Sequence, residues 1–402
     1  MKKLSIRLLL SLAIIFLFNT EVKSSWFMGG DLSYTNMGQD SFIIKLVMYR
    51  DCNGINPCNA NITIKCKSTN QIITTATMPR TSTTDITSVC SNSCTRCQTG
   101  SCSFPYGVEK YEYQKLVVLN TACCELILSY QMCCRNATIT TGIANKYFYI
   151  EATLNRCITP QNSSPTFRNE ALNLLCKDQD YQLNVGAYDT DGDSLAYEFA
   201  YPLEGHGSNI SYSGQYDYDK AFYFYGFPNK NLPLPKGIHL NPSTGDLSFR
   251  PTKIEQTVMV INVSEFRNGV KIGENRRDIQ IIVINCPTNH SPKLNPTSTL
   301  NVTEGDTVNY TFSTSDIDVN DTLQICWDSS ITNTSWQLNT SNYKHPIGTL
   351  KFYPDITNLG LNILTVSARD NACPVYGLTS RAYKIYVHPK AEAQFSTTNN
   401  GC

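Results

Sequence analysis

The chain repeats one punctuated pattern at two places. The first copy reads Asp189-Thr190-Asp191-Gly192-Asp193-Ser194-Leu195, then Gly245-Asp246-Leu247-Ser248-Phe249-Arg250-Pro251, then Val263-Ser264-Glu265. The second reads Asp316-Ile317-Asp318-Val319-Asn320-Asp321-Thr322-Leu323, then Gly348-Thr349-Leu350-Lys351-Phe352-Tyr353-Pro354, then Ala368-Arg369-Asp370. An acidic turn, a Gly-x-Leu-x-Phe-x-Pro strand and an acidic strand end recur in one order. A supersecondary pattern that recurs marks a repeated domain. Tandem β-domains build surface structures more often than active sites.

The N-terminus reads as a secretory signal. Lys2, Lys3 and Arg7 precede an apolar run from Leu8 to Phe18, too short to span a bilayer, and small residues follow at Ser24 and Ser25. Residues 1–24 are therefore expected to be removed. No later stretch approaches the length of a membrane helix, so no transmembrane segment is expected in the mature chain. Charge excludes a nucleic-acid partner: the whole chain is neutral, and Lys2, Lys3, Arg7 and Lys23 against Glu21 leave the remainder slightly acidic.

Seventeen cysteines on an exported chain predict disulfides. Twelve fall between Cys52 and Cys157; Cys176 and Cys286 follow, then Cys326 and Cys373, with Cys402 left over. Even numbers per unit predict bridges closed within units, with Cys176–Cys286 and Cys326–Cys373 as the pairs in the two repeats. Cys123-Cys124 and Cys133-Cys134 flank the strand-like run Glu125 to Tyr130. Adjacent strand residues face opposite ways, so each cysteine of a doublet is expected to take a different partner. Cys90, Cys94 and Cys97 have the spacing of an iron–sulfur motif. The export signal and the missing βαβ pattern make them disulfide cysteines instead.

Three units follow from the strand pattern. Residues 25–158 form a cysteine-rich β domain with apolar strands at Phe42–Tyr49, Lys115–Leu119 and Tyr147–Ala152, and a loop at Ser88–Ser103. Residues 159–287 form the first repeat, opened by Ser164-Pro165, with Tyr181, Leu183, Val185 and Ala187 on one face. Residues 288–389 form the second, opened by Ser291-Pro292, with Val308, Tyr310 and Phe312 alternating. Residues 390–402 form a polar tail. Each repeat offers roughly seven short strands in about 100–130 residues, as in an immunoglobulin-like two-sheet sandwich. The fold class expected is all-β, with tandem immunoglobulin-like sandwiches behind a disulfide-rich β domain.

The acidic turns are the candidate ligand sites. Asp189, Asp191 and Asp193 alternate around a glycine, and Glu265 ends a strand able to return beside them. Glu304, Asp316, Asp318, Asp321 and Asp370 are the counterparts in the second repeat. Calcium takes six to eight oxygens, which such a set can supply. The alternative is an Asx-turn, in which aspartates bond local amides. An insertion at 211–235 holds Tyr212, Tyr216, Tyr218, Phe222, Tyr223, Phe224, Tyr225 and Phe227. It offers rings for stacking on a glycan, or else packs on its own domain. The five histidines form no His-Glu-x-x-His pair, and there is no Gly-x-Ser-x-Gly elbow or phosphate-binding loop, so no catalytic residue is expected.

Several stretches carry a resemblance. Gly29-Gly30-Asp31-Leu32-Ser33-Tyr34 with Val47-Met48-Tyr49-Arg50-Asp51-Cys52-Asn53-Gly54 resembles the N-terminus of large Bacteroidetes surface proteins. Asp191 to Leu195, Asn241-Pro242-Ser243-Thr244-Gly245, Phe266-Arg267-Asn268-Gly269 and Arg277-Asp278-Ile279-Gln280 resemble their second module. The third unit is similar to cadherin-like and PKD-like immunoglobulin-type domains. The resemblance implies export by type IX secretion and the adhesive roles of gliding-motility-associated proteins. Those proteins run on to a C-terminal sorting domain, whereas this chain stops at Asn400-Gly401-Cys402. A truncated product, a fragment or a periplasmic relative is the expectation there.

The reading is a non-catalytic, exported structural or adhesin-like protein of the cell envelope. It would be secreted or surface-held, or periplasmic without a sorting domain, and stiffened by calcium. Its partners would be extracellular proteins or glycans. The alternatives are a carbohydrate-binding protein using the aromatic insertion, and an unrecognised extracellular hydrolase.

Overall fold

A computed structural model describes residues 27–391 apart from 99–101, 103, 172, 296–298 and 330. The signal segment, Cys402 and most of the polar tail lie outside the described residues. The fold is all-β: 53% is strand, and among the described residues the one helical element is the single 3₁₀ turn Ile356–Asn358.

The apolar runs become the central strands of the first unit. Its sheet runs Phe27–Asn36, Ser41–Asp51, Val108–Val118, Ile72–Asp85, Asn59–Cys66, Glu125–Met132 and Phe148–Asn155. The first and last of these both hydrogen-bond to Val270–Ile284 of the second unit, at Gly29↔Ile279 and at Leu154↔Gly273. The sheet therefore closes on itself around Leu32, Ile44, Ile62, Met78, Leu128 and Ile150. Closure hides the edges that an open sheet would leave unpaired. Gly29 and Gly30 are required here. A Cβ on either would lie 2.1 Å or 2.4 Å from the carbonyl oxygen of Asp278 or Val47.

Both repeats use one pairing scheme. The strand before each acidic turn pairs with the Gly-x-Leu-x-Phe-x-Pro strand: Tyr181–Asn184 with Asp246–Phe249, and Val308–Ser315 with Ile347–Phe352. The strand after each turn pairs with the strand that ends in acid. Ser194–Ala200 lies along Glu255–Arg267 with Leu195 opposite Glu265, and Gln324–Trp327 lies along Gly360–Arg369 with Gln324 opposite Arg369. Leu247 and Phe249, and their counterparts Leu350 and Phe352, fill the two sandwich cores.

The units are less separate than their sequence boundaries suggest. Val270–Ile284 belongs to the second repeat yet completes the first unit's sheet. Tyr181–Asn184 runs parallel to Leu378–His388 of the third unit, with Gln182 opposite Thr379, so a second sheet crosses the 287/288 boundary. A lone bridge joins Val89 to Val375.

The disulfides follow this geometry. Cys176 pairs with Cys286 across a Cα separation of 5.4 Å. Cys373 does not pair with Cys326. It pairs with Cys90 of the first unit, with Cα atoms 5.2 Å apart, so the bridges are not all closed within units. Cys326 sits in a strand opposite Ser367, whereas Cys373 lies beyond that strand pair, where the Val89–Val375 bridge brings Cys90 to it. Cys326 and Cys58 are free and exposed. Cys123 and Cys124 take different partners, Cys66 and Cys157. Cys133 and Cys134 bond to each other instead, because the strand ends at Met132 and facial alternation ends with it. Cys90, Cys94 and Cys97 belong to three separate disulfides.

Candidate functional site

Each acidic turn sits against the linker that leads into its own repeat. At the first joint, Asp189 is buried, and its Oδ1 accepts from the amides of Asp191 and Asp193 at 2.9 and 3.0 Å. Gly192 supplies the positive φ (83°) that the turn needs. Asp191 Oδ2 accepts from the linker amide of Ser163 at 2.6 Å. At the second joint, Asp316 Oδ1 accepts from the amide of Asp318 in the same manner at 3.0 Å. Asp318 Oδ2 accepts from the linker amide of His290 at 2.7 Å. The two linkers read Asn162-Ser163-Ser164-Pro165 and Asn289-His290-Ser291-Pro292. That Asn-x-Ser-Pro repeat was the available signal for Asn162, Ser163, Asn289 and His290, which the sequence reading did not select.

One oxygen each of Asp189, Asp191 and Asp193 lies within 4.8 Å of the others, and the same holds for Asp316, Asp321 and Asp370. The strand pairing explains how Glu265 and Asp370 reach their turns. Glu304 does not join the second set. Its amide meets the carbonyl of His388 at the end of Leu378–His388, whereas Asp370 meets Gly377 just before that strand begins.

The two sets differ in their cations. Arg267, two residues beyond Glu265, reaches back and donates to Asp193 through Nε at 2.7 Å and Nη2 at 2.6 Å. Its Nη2 also donates to Asn162 Oδ1 at 2.8 Å and lies 3.7 Å from Asp191. The position two beyond Asp370 is Ala372, so the second set has no built-in guanidinium. There Asp370 accepts from Asn289, Ala372 and Gly377, while His290 Nδ1 stands 3.1 Å from Asp318 Oδ2.

Burial shapes the charges. It pushes the Glu265 and Asp189 carboxyls up, with neighbouring acidic charge adding to the effect, and neither Glu265 oxygen has a hydrogen-bond partner. At the second joint burial raises Asp316 and Asp321 and lifts Asp370 to about 6. Asp316 Oδ2 is buried without a partner.

Both sets offer oxygens to a cation. Calcium prefers several oxygens at 2.3–2.6 Å, and three carboxylates with mutually close oxygens suit it. Both sets have that donor chemistry and orphaned buried oxygens: Asp316 Oδ2 at the second, Asp189 Oδ2 and both Glu265 oxygens at the first. At the first, Arg267 already supplies one cation, paired with Asp193.

The aromatic insertion packs on its own domain. Phe222 and Phe224 are buried against Phe249, and Tyr223 stacks on Phe227 at 4.1 Å. Tyr212 donates to the carbonyl of Val258 at 2.6 Å, and Tyr216 bonds Glu255. Tyr225 is the insertion's exposed large ring, flanked by Lys236 and Arg250.

Among the described residues no helix is long and apolar enough to cross a membrane. No protein-family model and no curated relative matches the chain. Solved structures similar to it include protocadherin gamma B2 extracellular cadherin domains 1–5, at 11% identity and a TM-score of 0.21, covering 84% of this chain and 54% of that one. A complex of Dpr2 Ig1-Ig2 with DIP-Theta Ig1-Ig3 matches at 10% identity and a TM-score of 0.24, covering 56% and 99%. An endo-fucoidan hydrolase of glycoside hydrolase family 107 matches at 16% identity and a TM-score of 0.20, covering 78% and 39%. At such scores the matches carry no conclusion about activity.

Proposed function

We propose that the chain is a non-catalytic, exported, adhesin-like structural protein of a cell envelope, stiffened by calcium at its second joint. The observation that carries this is the joining of units. Sheets run across both boundaries, and the Cys90–Cys373 bond ties the first unit to the third. A chain built this way transmits force without hinging at each boundary. Disulfides of this number suit an oxidising compartment. Asp316, Asp321 and Asp370 would hold the ion, with Asp318 fixing the linker. Bound calcium would neutralise carboxylates that burial otherwise penalises. The resemblance to gliding-motility-associated Bacteroidetes proteins supports a surface location.

Beads coated with the full chain test the adhesive role. They should adhere to cell surfaces or to one another in calcium and release in EDTA. Beads that adhere to neither, in either condition, would remove adhesion from the account.

A further inference from the structure

The third unit leaves one strand edge open. Thr334–Asn339 ends its four-stranded sheet, and among the described residues its one partner strand is Ile347–Phe352. The six residues read Thr-Ser-Trp-Gln-Leu-Asn, without a charge or a proline. Their register with Ile347–Phe352 runs without a shift, so no bulge turns the edge aside. An edge strand presents a row of free N–H and C=O groups, which proteins ordinarily guard with charge, proline, a bulge or a cover. Among the described residues the other sheet ends are covered or shorter. On the free side of Ser194–Ala200, the amide of Tyr197 donates to the carbonyl of Pro242 at 2.9 Å. Gln324–Trp327, at the end of the facing sheet, has only four residues.

The open strand is held in place from inside. Trp336 packs against the core of its unit and stacks on Trp327 at 5.6 Å. Gly348 makes the room, since a Cβ there would lie 2.0 Å from the Trp336 ring. Leu338 is 51% exposed, and Ser335, Gln337 and Asn339 are exposed as well. The molecule itself shows what covers an edge of this kind. Its units join by strand pairing, at Gly29↔Ile279 between the first and second and at Gln182↔Thr379 between the second and third. The occupant that fits the last open edge is therefore another strand of the same make.

We propose that Thr334–Asn339 pairs antiparallel with the same strand of a second copy of this chain, joining two four-stranded sheets into one. A twofold axis through the joined sheet keeps outward residues opposite outward residues. The register centred on Gln337 sets Gln337 against its own counterpart, the exposed Leu338 against Trp336, and Ser335 against Asn339. Apolar meets apolar, hydroxyl meets amide, and no like charges face each other. So short a pairing makes a small interface and a weak, reversible dimer. The inference goes beyond the adhesive reading and is independent of calcium, because the strand shares no residue with either acidic set.

Sedimentation velocity of the full chain over a range of concentrations tests it, with the free thiols alkylated so that no disulfide joins two copies. The wild type should show a reversible monomer–dimer equilibrium. Gln337→Lys and Gln337→Glu each set like charges face to face at the centre of the pairing, and each should weaken the dimer about tenfold or more. Mixed in equal amounts, the two variants should associate again, because opposite charges then face each other. The mixture also controls for folding, since a damaged strand is not rescued by a second damaged strand. A wild type that stays monomeric up to about 1 mM, the weakest affinity worth the name, would overturn the proposal. Variants that dimerise as the wild type does, or a mixture no better than either variant alone, would remove this edge as the contact.

Discussion

The two joints are built from one blueprint and neutralised in different ways. At both, an acidic turn takes a linker amide onto its second aspartate, through Ser163 at the first and His290 at the second. At both, an acidic residue at a strand end is delivered by the same antiparallel pairing. The first joint then carries its own cation, because Arg267 doubles back onto Asp193. The second has Ala372 at the corresponding place and leaves Asp316, Asp321 and Asp370 facing one another. A guanidinium is fixed and independent of solution, whereas a calcium site responds to its surroundings. On the calcium reading proposed above, the first joint would be set by its guanidinium and the second would be conditional.

The largest effect expected is at the tether that holds the second joint. Cys90→Ser with Cys373→Ser removes the bond that fixes the loop beyond Asp370. The change should destabilise the protein by about 2–5 kcal/mol, typical for loss of a native disulfide. Calcium affinity should fall with it, while the first joint is unaffected. Urea unfolding with and without calcium separates the two effects.

Next in size is calcium itself. At about 100 times its dissociation constant it should stabilise the wild type by roughly 2.7 kcal/mol, and Asp316→Asn should abolish that gain. Melting in calcium and in EDTA measures both.

Arg267→Met should then cost about 2 kcal/mol, less than for a fully buried pair because Arg267 is partly exposed. It would also convert the first joint into the second kind, so calcium should now restore part of the loss. If calcium fails to rescue this variant, the parallel between the joints is broken.

The smallest effect concerns pH. Burial raises the Glu265 carboxyl above its ordinary 4.5, so the folded state holds a proton that the unfolded chain releases. The stability from that proton is fully present below about pH 4.5 and is lost as pH climbs. The groups acting on it are Asp189, Asp193 and Asn162, with Arg267 close by. Glu265→Gln should flatten this decline, by up to about 1.4 kcal/mol per pH unit. Chemical denaturation between pH 5 and 9 reads the slope.

Much of this was legible in the sequence, and the gaps have physical causes. The repeated Gly-x-Leu-x-Phe-x-Pro strands and the acid-ending strands found their partners because alternating apolar residues fix register. Cys176–Cys286 was readable because the two residues open and close one repeat. Cys90–Cys373 was not, since nothing local in either segment says that residues 283 apart in sequence meet. The shared sheet was hidden for the same reason: Val270–Ile284 reads as a buried strand whichever unit it completes. Asp189, Asp191 and Asp193 were selected as acids, but Arg267 was not selected as their cation. Its role depends on the strand returning past Glu265, a tertiary fact. Glu304 shared the composition of the site without sharing its place.

Calcium titration of the full chain by calorimetry, with Asp370→Asn as its partner, tests the central claim most directly. One site in the wild type, lost in Asp370→Asn, is the result this account predicts. Two sites would mean that Arg267 does not close the first joint. No site would contradict the conditional second joint altogether.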